Sequence, residues 1–235
     1  EGREPACMDA ETAELFPDSF EETELGGMPR GWVIKALYDC AQYINGSVFS
    51  SEDFSANASG LPIIKIAELK DGITAQTKFT EIELDPDYQL SNGDILFSWS
   101  GSPETSIDIF VWAGGQGWLN QHIFKVVPYT YSSSESKYFV YFLLKHLKKA
   151  FIEIARDKQT TGLGHVTSRD LKEIRVVFPS ESILRAFNAI AEPIFHLTLN
   201  DQLESYALKR IRDLLLPKLL SGELRVEGIS VNEVP

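Results

Sequence analysis

Ile183, Phe187, Ile190, Ile194 and Leu197 recur at alternating steps of four and three. That spacing lays an apolar seam along one side of an α-helix, the kind that packs against a second element or forms a coiled coil. After Leu199 the pattern resumes with a shift of phase through Leu203, Tyr206, Ile211, Leu215 and Leu219. The spacing predicts one helix from Glu181 to Leu216, interrupted only at Pro193, where a missing N–H predicts a kink. Such a helix is about 54 Å long at 1.5 Å per residue, longer than the domain before it is wide. The expectation is a rod that projects and needs a partner; the alternative is a terminal helix folded back on its own domain.

The chain ahead of that rod is ordinary in bulk: of 235 residues, 43% are apolar and 24% charged, enough for one good core plus an appendage. No stretch approaches the roughly 18 consecutive apolar residues of a membrane helix, and no signal peptide opens the chain. A cytoplasmic location without membrane contact is expected. Cys7 and Cys40 have no second pair with which to build a metal knuckle or disulfide framework and read as incidental thiols. The first residue is Glu rather than Met, so the expectation is a piece of a longer polypeptide.

The net charge of −12 argues at first against a nucleic-acid partner, because phosphate neutralisation needs clustered Lys and Arg. The distribution of that charge points the other way. Glu1 to Met28 carries one basic residue against nine acidic, whereas Pro29 to Ser180 carries 15 against 17. Inside the second segment, Lys137 to Arg175 holds nine basic residues against four acidic, an island able to face phosphate or, equally, a solvated helix surface.

Residues 1–30 are acidic, lack periodicity and end in turn signals, and are read as a junction segment. From Trp32 to Pro128 short β-rich runs alternate with turns: 61–66, 79–84, 94–99, 107–112 and 122–127. Several strands of a curved sheet are expected. Ser136 to Arg156 then shows helical spacing, with a Gly-containing loop at 160–166 and a strand at 174–178 stopped by Pro179. The predicted architecture is α+β: a globular domain over 31–180 with a curved sheet and packed helices, a long projecting coiled-coil-forming helix over 181–222, and a tail over 223–235.

Four stretches carry a family resemblance. The closing run Arg212-Asp213-Leu214-Leu215-Leu216-Pro217-Lys218-Leu219-Leu220-Ser221-Gly222-Glu223-Leu224-Arg225-Val226 resembles the C-terminal signature of type I restriction-modification specificity subunits. Glu14-Leu15-Phe16-Pro17-Asp18-Ser19-Phe20 running to Pro29-Arg30-Gly31-Trp32, then Asn92 to Gly101, then Thr161 to Val166 with Leu171 to Ile174, agree in order and spacing. The resemblance implies a target-recognition domain reading one half of a bipartite double-stranded DNA target. The family's subunit alternates two such domains with two long helices, whereas this chain has one of each. It is therefore similar to a C-terminal half or a half-sized subunit, which could regain two domains by pairing its helix with a second copy. The resemblance also implies docking of adenine methyltransferase subunits carrying S-adenosylmethionine, and of a restriction subunit through the complex. No catalytic residue, metal or cofactor is expected on this chain.

DNA reading divides between basic residues that fix register on phosphates and polar side chains that meet base edges. For phosphate the candidates are Lys145, Lys148, Lys149, Lys158 and Arg169. For bases they are Ser98, Ser100, Gln116, Gln121, His122, Thr161 and His165, in the loops 98–102, 116–122 and 158–165. Trp99, Trp112 and Trp118 read as loop-anchoring or core aromatics. Ile190, Ile194, Leu197, Leu203, Tyr206, Ile211, Leu214 and Leu215, flanked by Lys209, Arg210 and Arg212, form the partner-docking stripe.

Two other classes remain open at this level. Asp53, Glu68 and Lys70 fit the Asp, Glu-x-Lys arrangement of a magnesium-dependent nuclease, a spacing easily met by chance. A scaffold that only dimerises through its helix would bind no DNA. Gly114, Gly115 and Gly117 resemble a phosphate cradle, but no Gly-Lys-Ser/Thr follows. A self-contained DNA methyltransferase is disfavoured, because the chain has no Asn-Pro-Pro-aromatic tetrad and no Gly-x-Gly cofactor loop.

Overall fold

A computed structural model describes residues 8–131, 134–159 and 162–225. In chain order the elements are α1 (Ala10–Glu14), β1 (Phe20–Thr23), β2 (Gly26–Pro29), β3 (Val33–Ala36), β4 (Ala41–Asn45), β5 (Leu61–Ile64), α2 (Ile66–Asp71), β6 (Phe79–Thr80), β7 (Gln89–Leu90), β8 (Ile95–Ser98) and β9 (Ser100–Gly101). There follow α3 (Pro103–Ser106), β10 (Asp108–Val111), β11 (Gly117–Leu119), β12 (Ile123–Pro128), β13 (Thr130–Tyr131), β14 (Ser134–Glu135), α4 (Lys137–His146), α5 (Lys148–Asp157), β15 (Gly164–His165), α6 (Ser168–Glu173), β16 (Arg175–Phe178) and α7 (Glu181–Leu220). Short 3-10 turns intervene.

The central sheet is antiparallel, ordered β10-β8-β12-β4. β8 lies inside it and is buried throughout. Because successive strand residues point to opposite faces, Ile95 and Phe97 enter the core under the helices, while Leu96 enters a second core shared with Ile64, Leu119 and Trp112. That second core belongs to the other four-stranded sheet, β6-β5-β11-β7, in which β5 and β11 run parallel. α4 and α5 cover the central sheet, and Phe151 meets Phe97 at 4.8 Å between ring centroids. β3 and β16, far apart in sequence, pair from Val33–Phe178 to Ala36–Arg175.

Several elements differ from the sequence expectation. The run 61–66 leaves β structure after Ile64, because the Glu68 carboxylate accepts the Lys65 backbone N–H at 3.0 Å and starts a helix, a local cap that outcompetes strand propensity. The run 79–84 is strand only at its first two residues. The single helix expected over 136–156 turns a corner at Leu147, so that Tyr141 packs on Phe195 while Phe151 packs on Phe97. Within the acidic N-terminal stretch, α1 forms behind the Asp9 cap and β1 pairs with β2. Cys40 is in the core, where burial pushes its thiol up to about 11 against the pull of Lys35. Cys7 lies outside the described residues.

α7 runs 40 residues and continues through both Pro193 and Pro217, about 60 Å by its rise. It is two-faced. Ile183, Leu184, Phe187, Ala191, Phe195 and Leu199, four residues apart along most of its first half, pack on the lobe. Ile190, Ile194 and Leu197 face away and are 67%, 48% and 60% exposed. The heptad seam read from sequence is therefore divided: Ile183 and Phe187 belong to the lobe contact, and the rest lies about a quarter turn around the helix. Rather than leaving the lobe at Glu181, α7 lies along it as far as Tyr206, whose ring packs on Gly72: a Cβ there would sit 2.7 Å from it. Beyond Tyr206 the helix is almost entirely exposed. No helix among the described residues is long and apolar enough to cross a membrane.

Candidate nucleic-acid interface

One end of the central sheet collects most of the candidate base-reading residues. β8 ends at Ser98, opposite Asp108 of β10 and Ile123 of β12, and Asn45 ends β4 opposite Phe124. The chain then passes through Trp99 into β9, whose two residues pair with β15: Ser100 with His165 and Gly101 with Gly164. Two distant sequence motifs are thus clasped together. Trp99 is half-buried and anchored: its N–H bonds the His122 carbonyl, its carbonyl accepts from Val166 N–H, and its ring lies near Phe124 and His122, at 5.5 and 5.8 Å. The rim so formed exposes His122 and half-exposes Ser100, Gln121 and His165.

Basic side chains flank this rim, but most are already engaged. Asp108 accepts Lys148 at 2.6 Å and Lys145 at 3.3 Å. Burial raises the Asp108 pKa, yet the Lys148 hydrogen bond, the Lys145 charge and the Ile109 N–H outweigh it, so the net direction is down. Lys158 reaches Asp170 at 2.5 Å; there too burial opposes ionisation, and bonds from Lys158 and Thr167 prevail. Arg156 pairs with Glu104 at 2.6 Å and Arg169 with Glu173 at 3.0 Å. Asp108 and Glu104, the two carboxylates that reach the island from outside it, offset only part of its surplus of positive charge; Lys149 is exposed without an ion pair among the described residues.

Other residues fall elsewhere. The Ser98 side chain is fully buried, its Oγ without a hydrogen-bond partner among the described residues, so it is not on the exposed rim. Gln116 is exposed in the 113–116 turn near the start of β8, where Asn92 caps Gly115 N–H and the Trp112 indole donates to the Gly115 carbonyl. These bonds account for the glycine-rich stretch as a turn. Thr161 lies outside the described residues. On α7, Ile211, Leu214 and Leu215 are 52%, 64% and 37% exposed. Leu203 and Tyr206 instead line a cleft of about 960 Å³ between the helix and the 71–76 and 113–115 loops.

The nuclease constellation does not assemble. Glu68 and Lys70 lie two apart on α2, where such residues point to different sides, and Glu68 is buried, spending its oxygens on Lys65 N–H and Thr77 Oγ1. Asp53 caps Ser50. Asn45, Asp108 and Asp170 escaped the sequence reading, because their partners lie 54, about 40 and 12 positions away and no local pattern marks them.

Residues 29–205 match the family model described as the type I restriction modification DNA specificity domain. The chain belongs to that family. It is 27% identical over 219 residues to the type I restriction enzyme MjaIX specificity subunit of Methanocaldococcus jannaschii, covering 86% of this chain and 46% of that protein. It is 29% identical over 223 residues to the HindI specificity subunit of Haemophilus influenzae, covering 92% and 48%. The type I restriction-modification S subunit of M. genitalium shares the fold, with a TM-score of 0.54 at 16% identity over 81% of this chain and 46% of that one. The chain spans about half the length of the curated relatives it matches.

Proposed function

We propose that this chain is a non-catalytic specificity module that binds double-stranded DNA sequence-specifically, reads one half of a bipartite target, and docks adenine methyltransferase subunits of a type I restriction-modification complex. The observation that carries the proposal is the match to the specificity domain over residues 29–205 in a chain that unites one lobe with one long helix. The lobe's rim of Ser100, Gln121, His122 and His165 supplies base-reading groups; Lys145, Lys148, Lys149, Lys158 and Arg169 stand beside it or on neighbouring elements for phosphate. S-adenosylmethionine belongs to the methyltransferase partner, and the restriction subunit joins through the complex.

The outward stripe of Ile190, Ile194, Leu197, Ile211 and Leu215 is the docking surface, either for those subunits or for a second copy that restores two reading lobes. Titration of the full chain against duplex DNA at two salt concentrations tests the first half of the proposal: affinity must fall with salt. Adenine-methylation mapping in cells with and without the chain tests the second, because a specificity subunit is required for methylation at its target. Unchanged methylation refutes the assignment.

A further inference from the structure

We propose that Asn45 is a base-reading side chain that selects adenine in the major groove, and that Trp99 is its positioning residue. The inference rests on the DNA-binding function proposed for the lobe and assigns a residue and a base class to it.

Asn45 is exposed at the last position of β4, on the rim that carries Ser100, His122 and His165. The Trp99 indole N–H donates to its Oδ1 at 3.0 Å. An indole nitrogen can only donate, so the atom facing it must be the amide oxygen, which removes the usual ambiguity of an amide flip. Nδ2, with both its hydrogens, then faces away from Trp99, and one lone pair of Oδ1 stays open. Neither atom has another side-chain partner among the described residues.

This is the donor and acceptor pair that meets adenine N7 and N6–H₂ together. Guanine offers two acceptors on the same edge, so an amide whose oxygen is fixed would set Oδ1 against O6. Trp99 is restrained where it holds the amide: its backbone bonds to His122 and Val166, and its ring lies against Phe124. The side chain is thereby ordered before DNA arrives, which removes an entropic cost of binding. Lys145 and Lys148 stand at the same end of the sheet, on the Asp108 that faces Ser98, with β8 and β12 between that edge strand and the one that ends at Asn45.

The test uses the full chain, its Asn45→Ala and Trp99→Phe variants, and a duplex library randomised across the target, with enriched sequences read out. The wild-type chain is expected to show one position with a roughly tenfold preference for adenine. Asn45→Ala should flatten that position alone, leaving the others and the affinity for unrelated duplex within about twofold, as for loss of one base contact. Trp99→Phe keeps the ring and removes the N–H, and should blur the same position, a change that a packing role would not produce. An unchanged base pattern in Asn45→Ala overturns the inference while leaving DNA binding intact. A sharp adenine preference in Trp99→Phe overturns the positioning role. No salt-sensitive retention of any duplex by the wild-type chain overturns the proposed function, and this inference with it.

Discussion

Gly101 and Gly164 face each other across the β9–β15 ladder, and neither has room for a methyl group. A Cβ on Gly164 would lie 2.0 Å from the Ala155 carbonyl oxygen of α5, and one on Gly101, whose φ is +127°, would lie 2.6 Å from Ser106 Cβ of α3. Helices α3 and α5, joined to each other by the Arg156–Glu104 pair, press on the face of the ladder to which both glycines point, and Ser100 and His165 sit side by side as the next pair.

Gly164→Ala is therefore expected to destabilise the chain by about 1–3 kcal/mol, the usual range for forcing atoms into a packed site. Because the obstacle is backbone, no rotamer change relieves it. Urea unfolding measures the loss, and a variant as stable as wild type would show that α5 and β15 can separate enough to admit a methyl group.

Ser98 sits among the candidate readers in sequence but is buried, its hydroxyl unpaired among the described residues. Ser98→Ala removes an unsatisfied polar group, which is neutral or stabilising by up to about 1 kcal/mol. DNA selectivity should be unchanged. A shifted base preference in the same variant would contradict the burial.

The two faces of α7 should respond differently to truncation. Phe195→Ala, which empties a fully buried site against Tyr138 and Tyr141, should cost about 3–5 kcal/mol. Ile194→Ala on the exposed face should stay within about 0.5 kcal/mol. Thermal unfolding of the two variants compares them directly.

Ile211→Asp with Leu215→Asp places two carboxylates on the part of α7 that no lobe residue covers. Folding stability of the chain alone should be retained within about 1 kcal/mol, as for surface changes, while association through the helix is lost. Sedimentation velocity of the chain, and copurification with methyltransferase subunits, read this out; undiminished association would move the docking surface elsewhere.

Asp108 and Asp170 both titrate below the ordinary carboxylate value of 3.8 in the folded chain. A depressed folded pKa means that the stability each contributes is complete above 3.8 and disappears as pH falls through the lowered value. The stability gap between wild type and Asp108→Asn should thus be constant from about pH 7 to about pH 5 and close in stronger acid. A gap that widens on acidification would give the ion pairs the wrong sign.

The sheet strands and the long helix were readable because each rests on a local period. β8 and β10 fall within their predicted runs and β12 overruns its run by Pro128 alone, since apolar residues bounded by turns have few other ways to bury themselves. The helix over 136–156 split because contacts from Phe97, Phe195 and Asp108 decide where that segment bends, and the strand predicted at 79–84 ends at Thr80, whose hydroxyl oxygen accepts the Ile82 N–H. Sequence marked Ser100, His122 and His165 as base-contact candidates because loops commonly carry such groups; the structure pairs the first and last of them on the β9–β15 ladder. Sequence could not tell that Ser98, two residues from Ser100, points inward.

Local periodicity and motif order fixed the class of elements, the existence of a rod, and the family. Tertiary structure alone decided which lysines meet carboxylates, which side of α7 lies on the lobe, and which amide Trp99 holds. The reason is range: periodicity reports on neighbours three or four positions apart, whereas Asn45 and Trp99, or Asp108 and Lys148, meet only after the sheet has registered and the helices have closed over it.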